Sequence, residues 1–274
     1  MNLTSPAQVR SWCLENGFHP NKVLGQNFLI DKNTLDAILD AARLPPGGCR
    51  ILEIGPGLGV LTEGLLSRGC RVTAVEKDPV LAERLAGALG SPQALETIEG
   101  DALDLAKAGS LDGFPALVSN LPYQAGTRIV LEMARRNDVS PAAAPESMTV
   151  LVQTEVAERL AAGPGSRTRC LAGTWVQLDY SVSVVRAVKA SCFWPRPAVG
   201  SSVVRLERHH LNDGIGPGVR ATFRSVAKQA FNHRRKQLGT IFRGIVESGA
   251  RPEQLSVEDW LGLAAAWPQE PQSP

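Results

Sequence analysis

An open α/β sheet covered by helices on both faces, followed by a small helical domain, is the fold this sequence predicts. Three observations carry that expectation. Short apolar runs alternate with amphipathic ones between residues 50 and 162. A glycine-rich loop joins the first of those runs to the helix after it. Past residue 210 the β-rich pattern gives way to basic, helix-like segments. Strand–helix alternation at this spacing is the pattern of a parallel sheet, and ligands of such sheets sit beyond the carboxyl ends of the strands.

The elements follow in order. Ser5-Pro6 opens a capped helix that Gly17 ends. Residues 18–30 read as a loop. Asp31 to Arg43 reads as an amphipathic helix, stopped by Pro45-Pro46-Gly47-Gly48. Strands are expected at 50–54, 71–76, 94–99, 115–119 and 147–153. The helices between and after them are expected at 59–68, 78–89, 125–135 and 154–162. Residues 181–189 and 201–207 are both β-rich and suit an antiparallel pair closing the sheet. An Asn-Asp-Gly-Ile-Gly-Pro-Gly stretch from Asn212 marks a linker, and short helices are expected from Val219 to Ala266. The expected domains are 1–210, carrying the chemistry, and 211–268, helical, with a disordered tail at 269–274 that is rich in Pro and Gln.

The composition, 43% hydrophobic and 20% charged over 274 residues, is that of an ordinary globular protein. No apolar run approaches the ~18 residues of a membrane span, and no signal-peptide pattern opens the chain. A cytoplasmic protein without a membrane role is expected. The five cysteines are odd in number and spread along the chain, which argues against a disulfide framework or a zinc site. His209, His210 and His233 have no partners at metal-ligand spacing, so no metal is expected. Net charge is +2, with 29 basic and 27 acidic residues. Residues 160–250 hold 14 Lys+Arg and 4 Asp+Glu, a net of +10, which leaves 15 and 23, a net of −8, elsewhere. A basic block on a near-neutral chain suggests a polyanionic partner.

Glu53-Ile-Gly55-Pro-Gly57-Leu-Gly59 follows a strand and opens a helix. Glycines there let the backbone turn tightly and approach a ligand closely. Glu76 lies 21 residues past Gly55, at the end of the next strand, where a carboxylate can accept both ribose hydroxyls of a nucleoside. Asp101 follows the third strand and could accept a hydrogen bond from an adenine amine, or merely cap the next turn. The glycines read G-x-G-x-G rather than G-x-G-x-x-G, so no bound pyrophosphate is demanded. This favours S-adenosylmethionine over NAD and makes the fold a Rossmann-like methyltransferase sheet.

Asn120-Leu121-Pro122-Tyr123 follows the fourth strand. The exocyclic amine of adenine is a poor nucleophile because its lone pair is delocalised into the ring. Two acceptors, the Asn120 side-chain oxygen and the Leu121 carbonyl, could hold its N–H groups and turn the lone pair toward a methyl donor. Pro122 fixes the backbone direction. Tyr123 could stack on the base, worth ~1–3 kcal/mol.

With these motifs in hand, the chain resembles the ribosomal RNA adenine N6,N6-dimethyltransferases of the bacterial small-subunit (16S) type. The matching segments are Leu24-Gly-Gln-Asn-Phe-Leu29, the glycine loop, Glu76, Gly100-Asp101, Asn120 to Tyr123, Gln153 to Arg159, Phe193-Trp-Pro-Arg-Pro197 and Phe231-Asn-His-Arg-Arg-Lys236. The resemblance implies that Asn27 and Leu29 contact the methionine end of S-adenosylmethionine, and that Gly55, Gly57, Glu76, Asp101 and Asn120 complete the cofactor pocket. It implies that Phe193 sandwiches the target adenine opposite Tyr123; read alone, Phe193 is core packing. It implies as target two adjacent adenines in a hairpin near the 3′ end of 16S rRNA; the expected partner is that rRNA in an immature small subunit, and a monomer is expected. The chain departs from the family pattern at Gln124–Thr127, Arg167–Cys170 and Ala198–Ser201.

Arg224, Lys228, Arg234, Arg235 and Lys236 are the expected RNA-docking residues, with Arg224 and Lys228 on one helix face. A purely stabilising basic helical cap is the alternative. Competing readings of the whole chain are a large-subunit (23S) rRNA adenine methyltransferase of the antibiotic-resistance type and a mainly non-catalytic ribosome assembly factor.

Overall fold

The computed structural model describes residues 2–21 and 24–268; the expected tail at 269–274 lies outside them. In chain order the elements are α1 (Pro6–Glu15), β1 (Phe28–Leu29), α2 (Lys32–Ala41), β2 (Arg50–Ile54), α3 (Val60–Ser67), β3 (Arg71–Glu76), α4 (Pro79–Ala88), β4 (Leu95–Glu99), α5 (Ala102–Lys107), β5 (Ala116–Asn120) and α6 (Gly126–Arg135). They continue with β6 (Ser147–Gln153), α7 (Thr154–Ala161), α8 (Leu171–Val176), β7 (Tyr180–Val188), β8 (Phe193–Trp194), β9 (Ser201–Arg208), α9 (Pro217–Asn232), α10 (Leu238–Ile241) and α11 (Val257–Ala265).

Seven strands form one sheet in the order β4-β3-β2-β5-β6-β9-β7. The pairs β3–β4, β2–β3, β2–β5 and β5–β6 are parallel, and β6–β9 is antiparallel. β5 lies next to β2, so the strand order reverses there, and the crevice above that point is where such sheets bind ligands. The central strands read as continuous apolar runs because both faces are covered: Ile51, Leu52, Leu117 and Val118 are all buried. Short caps set the helix starts. Asp78 accepts from the Val80 and Leu81 amides at the head of α4, and Pro79 stands at its first position.

Residues 18–30 are not all loop. Phe28 and Leu29 pair antiparallel with Trp194 and Phe193, and the Ile30 amide donates to the Cys192 carbonyl at 2.9 Å.

The chain divides into two compact units, one of Met1–Ala157 with Ser181–Arg208 and one of Glu158–Tyr180 with His209–Pro274. The segment 158–180, expected in the first domain, therefore belongs to the second. Arg220 on α9 clasps Asp179 with two hydrogen bonds of 3.0 and 2.9 Å, both side chains buried. Leu178 joins a core of Phe223, Ala227, Leu238 and Trp260. The expected linker is likewise tied into this unit: the Asn212 amide donates to the Leu178 carbonyl at 2.5 Å, and the Asn212 carbonyl accepts from Arg220 at 2.6 Å. The helical region opens with one 16-residue helix, α9, rather than with short ones.

Candidate active site

The carboxyl ends of β2, β3 and β5, with the residues following β4, surround a cavity in the first unit. Asn27, Leu29, Gly55, Gly57, Glu76, Asp101, Asn120, Leu121, Pro122 and Tyr123 all line it. Every expected cofactor residue is thus brought to one place. Of the expected catalytic residues, Phe193 alone is missing from the wall.

The floor is the glycine loop. Gly57 has φ +59, and a Cβ there would lie 3.0 Å from the Phe28 ring. Only glycine combines that conformation with that contact. The Gly57 amide donates to Glu76 Oε2 at 3.1 Å, and the Asp78 amide donates to Oε1 at 2.9 Å. The carboxylate at the end of β3 therefore anchors the loop. With about four lone-pair sites it retains acceptors for a ligand's hydroxyls. Burial pushes the Glu76 carboxyl up from its ordinary range, opposed by the amides of Asp78, Gly57 and Lys77.

Asp101 does two things at once. Its Oδ1 accepts from the Leu103 amide at 2.8 Å, capping α5, and its Oδ2 meets Lys77 Nζ at 2.7 Å. The Lys77 ammonium holds the carboxyl below its usual range.

The tetrapeptide begins as β5 ends. The Ser119 hydroxyl donates to the Ile54 carbonyl, locking β5 to β2 just below the site. Asn120 Nδ2 donates to the Asn27 carbonyl at 3.2 Å, and Asn27 Nδ2 donates to the Gly25 carbonyl at 3.0 Å. That orientation spends the Asn120 amide nitrogen and leaves its oxygen as the acceptor. The Leu121 amide is tied to the Leu151 carbonyl at 3.2 Å, while the Pro122 carbonyl accepts from Ala125 and Gly126 to start α6. The Tyr123 hydroxyl shares a 2.5 Å hydrogen bond with Ser201 Oγ, and burial raises its pKa.

Phe193 is 2% exposed. Its ring meets that of Tyr123 edge-on, with centroids 6.5 Å apart and planes at 70°. In this arrangement the two rings do not face each other as parallel planes. The pairing of β8 with β1 sets Phe193 in the core, and the core-packing reading describes its place here.

Among the wall residues to which the sequence reading gave no role are Leu3, Glu53, Lys77 and Arg128. Glu53 carried a signal, an acid inside an apolar strand. It is 1% exposed, accepts from Thr62 Oγ1 at 2.7 Å, and is pushed up to about 8, first by burial, with Glu76 nearby adding to the rise.

The expected RNA-docking residues lie in the second unit and part company there. Arg224 is buried, with its guanidinium 5.7 Å from the Trp175 ring. It does not share an exposed face with Lys228 as expected, because α9 turns Arg220, Phe223, Arg224 and Ala227 toward its own core. Arg234 donates to the Arg167 carbonyl and lies 3.7 Å from Glu253. Lys228, Arg235 and Lys236 are exposed. Among the described residues, no group of three or more His, Cys, Asp or Glu is placed to hold a metal, and no helix is long and apolar enough to cross a membrane.

Residues 17–258 match the family described as Ribosomal RNA adenine dimethylase. The chain belongs to that family. It is 43% identical over 251 residues to Ribosomal RNA small subunit methyltransferase A of Deinococcus radiodurans, covering 90% of this chain and 80% of that one. It is 34% identical to the protein of the same name from Opitutus terrae, covering 94% and 97%. Among solved structures, a dimethyladenosine transferase from Plasmodium falciparum shares the fold with a TM-score of 0.73 at 22% identity, covering 86% of this chain and 95% of that one. The 23S rRNA methyltransferase ErmE aligns with a TM-score of 0.62 at 26% identity, covering 88% and 99%. The mixed α/β sheet is the Rossmann-like sheet of methyltransferases, as the sequence predicts.

Proposed function

We propose that this protein transfers methyl groups from S-adenosylmethionine to the N6 amines of two adjacent adenines in a hairpin near the 3′ end of 16S rRNA. The product would be N6,N6-dimethyladenosine, made on an immature small subunit. The observation that carries the reading is the Asn120 amide, pinned through its nitrogen and facing a cavity that it shares with Glu76 and Asp101.

The residues suit the cofactor. The cradle at Gly57, which a Cβ would crowd, admits a ligand against backbone. The Glu76 carboxylate suits a ribose diol, and Asp101 suits an adenine amine. When bound, S-adenosylmethionine supplies an electrophilic methyl group. The protein's share is binding and alignment. The Asn120 oxygen and the Leu121 carbonyl accept from the target N–H groups and direct the lone pair, and those hydrogen bonds strengthen as the amine becomes acidic. Proximity supplies much of the remaining rate, and no strong general base is required. Loop adenines suit such a site because an unpaired base can be splayed out at low cost. Exposed Lys228, Arg235 and Lys236 would hold the RNA backbone, a role that fixes position without reading bases.

The test incubates labelled S-adenosylmethionine with unmethylated small subunits and, separately, with large-subunit RNA, followed by nucleoside mass spectrometry. Dimethyladenosine from the small subunit alone is expected. Label in the large subunit transfers the assignment to the 23S reading, and tight subunit binding without label transfers it to the assembly-factor reading.

A further inference from the structure

Cys49 and Cys70 stand 21 residues apart in the chain, yet the parallel pairing of β2 and β3 brings them side by side. Arg50 is in register with Arg71, so the two cysteines face each other one step earlier, at the amino ends of the strands. The Arg71 amide donates to the Cys49 carbonyl at 3.0 Å and pins that register. The turns before the strands also close on one another: a Cβ on Gly48 would fall 2.3 Å from the Gly69 carbonyl carbon. Paired strands lie about 4.8 Å apart, inside the Cα–Cα window of roughly 4.4–6.8 Å that a disulfide spans. In-register residues on parallel strands point to the same face, so the pairing directs both side chains to one side of the sheet. Cys70 is buried and Cys49 is half-exposed, so one sulfur is open to attack and its neighbour is shielded.

We propose that Cys49 and Cys70 form a thiol pair that a hydroperoxide closes into a disulfide tying β2 to β3. The Cys49 thiolate attacks a peroxide oxygen, the O–O bond breaks, and a sulfenic acid forms with release of hydroxide. Cys70 sulfur then attacks Cys49 sulfur, the S–O bond breaks, and the departing hydroxide takes the Cys70 proton as water. Two thiols are oxidised to one disulfide, and one hydrogen peroxide is reduced to two waters. Burial and the adjacent thiol hold Cys49 above its ordinary pKa, so the reaction is slow near neutrality and quickens as pH rises. The closed segment, residues 49–70, carries the whole glycine loop. Constraining it in the unfolded chain stabilises the first unit.

The full chain is treated with hydrogen peroxide at pH 7 and pH 8.5, quenched with an alkylating agent and digested with trypsin. The expected main product is a disulfide joining peptide 44–50 to peptide 69–71, formed faster at the higher pH and reversed by dithiothreitol. It should accompany a rise in Tm of about 5 °C. Cys49→Ser, at the half-exposed position, abolishes both the linked peptide and the Tm gain. Cys70→Ala diverts Cys49 to sulfinic acid. Cys49 recovered mainly as sulfinic acid in the unaltered protein overturns the proposal, as does preferential linkage to Cys13, Cys170 or Cys192.

Discussion

Replacing Glu53 by Gln should make the protein more stable in mild alkali, by an amount that depends on pH in a specified way. Glu53 lies within β2 at 1% exposure, faced by Thr62 from α3 and by Glu76 from β3. Burial raises its pKa from 4.5 to about 8, and the Thr62 hydroxyl only partly offsets the rise. The folded protein therefore keeps a proton that the unfolded chain gives up above pH 4.5. Stability contributed by the neutral carboxyl is complete below that value and declines as pH climbs through the folded pKa. Over a window of about three and a half pH units, the decline is on the order of 4–5 kcal/mol. Glutamine keeps the shape and the acceptor for Thr62 and removes the titration. Glu76 is displaced in the same direction but remains in both proteins, so most of its contribution cancels in the comparison. The assay is urea unfolding of both proteins at unit steps from pH 5 to pH 9. The two should agree closely at pH 5, and the variant should lead by several kcal/mol at pH 8 to 9. Parallel stability curves across the range would refute the assignment of a buried, neutral Glu53.

Three further outcomes follow from the geometry of the two units. Asn120→Ala should leave cofactor affinity largely intact in calorimetry while turnover on small subunits drops by at least ~10²-fold, as for a lost transition-state hydrogen bond; turnover near that of the unaltered protein refutes the role. Arg235→Ala with Lys236→Ala should flatten the plot of log K for RNA against log salt by about 1.5. Arg224→Ala, a buried side chain over Trp175, should instead lower Tm and leave that slope alone.

Much of the first unit was legible because its signals are local and repeated. Five strands and the helices after four of them can be placed from short local runs, while the six-residue α5 after β4 escapes; the glycine loop, Glu76, Asp101 and Asn120 stand out by their offsets to strand ends. What escaped depends on partners far away in the chain. β1 and β8 are two residues each, too short for any period, and their pairing spans some 165 positions. The boundary of the second unit was drawn at a glycine-rich stretch, but Asp179 and Arg220 decide it across 41 positions. The same pair explains the misreading of the basic helix, since a charge count treats every arginine as solvated. An arginine with a buried carboxylate partner, or one lying over a tryptophan in its own core, adds to the count and offers no free cation to a phosphate. Two of the seven basic residues between Arg220 and Arg243, namely Arg220 and Arg224, are spent in this way. On the proposed docking role, the electrostatic footprint for RNA would be smaller than the +10 block implies and would centre on exposed Lys228, Arg235 and Lys236. The salt slope would report that reduced number, which makes it a measurement of the fold of the second unit as much as of its function.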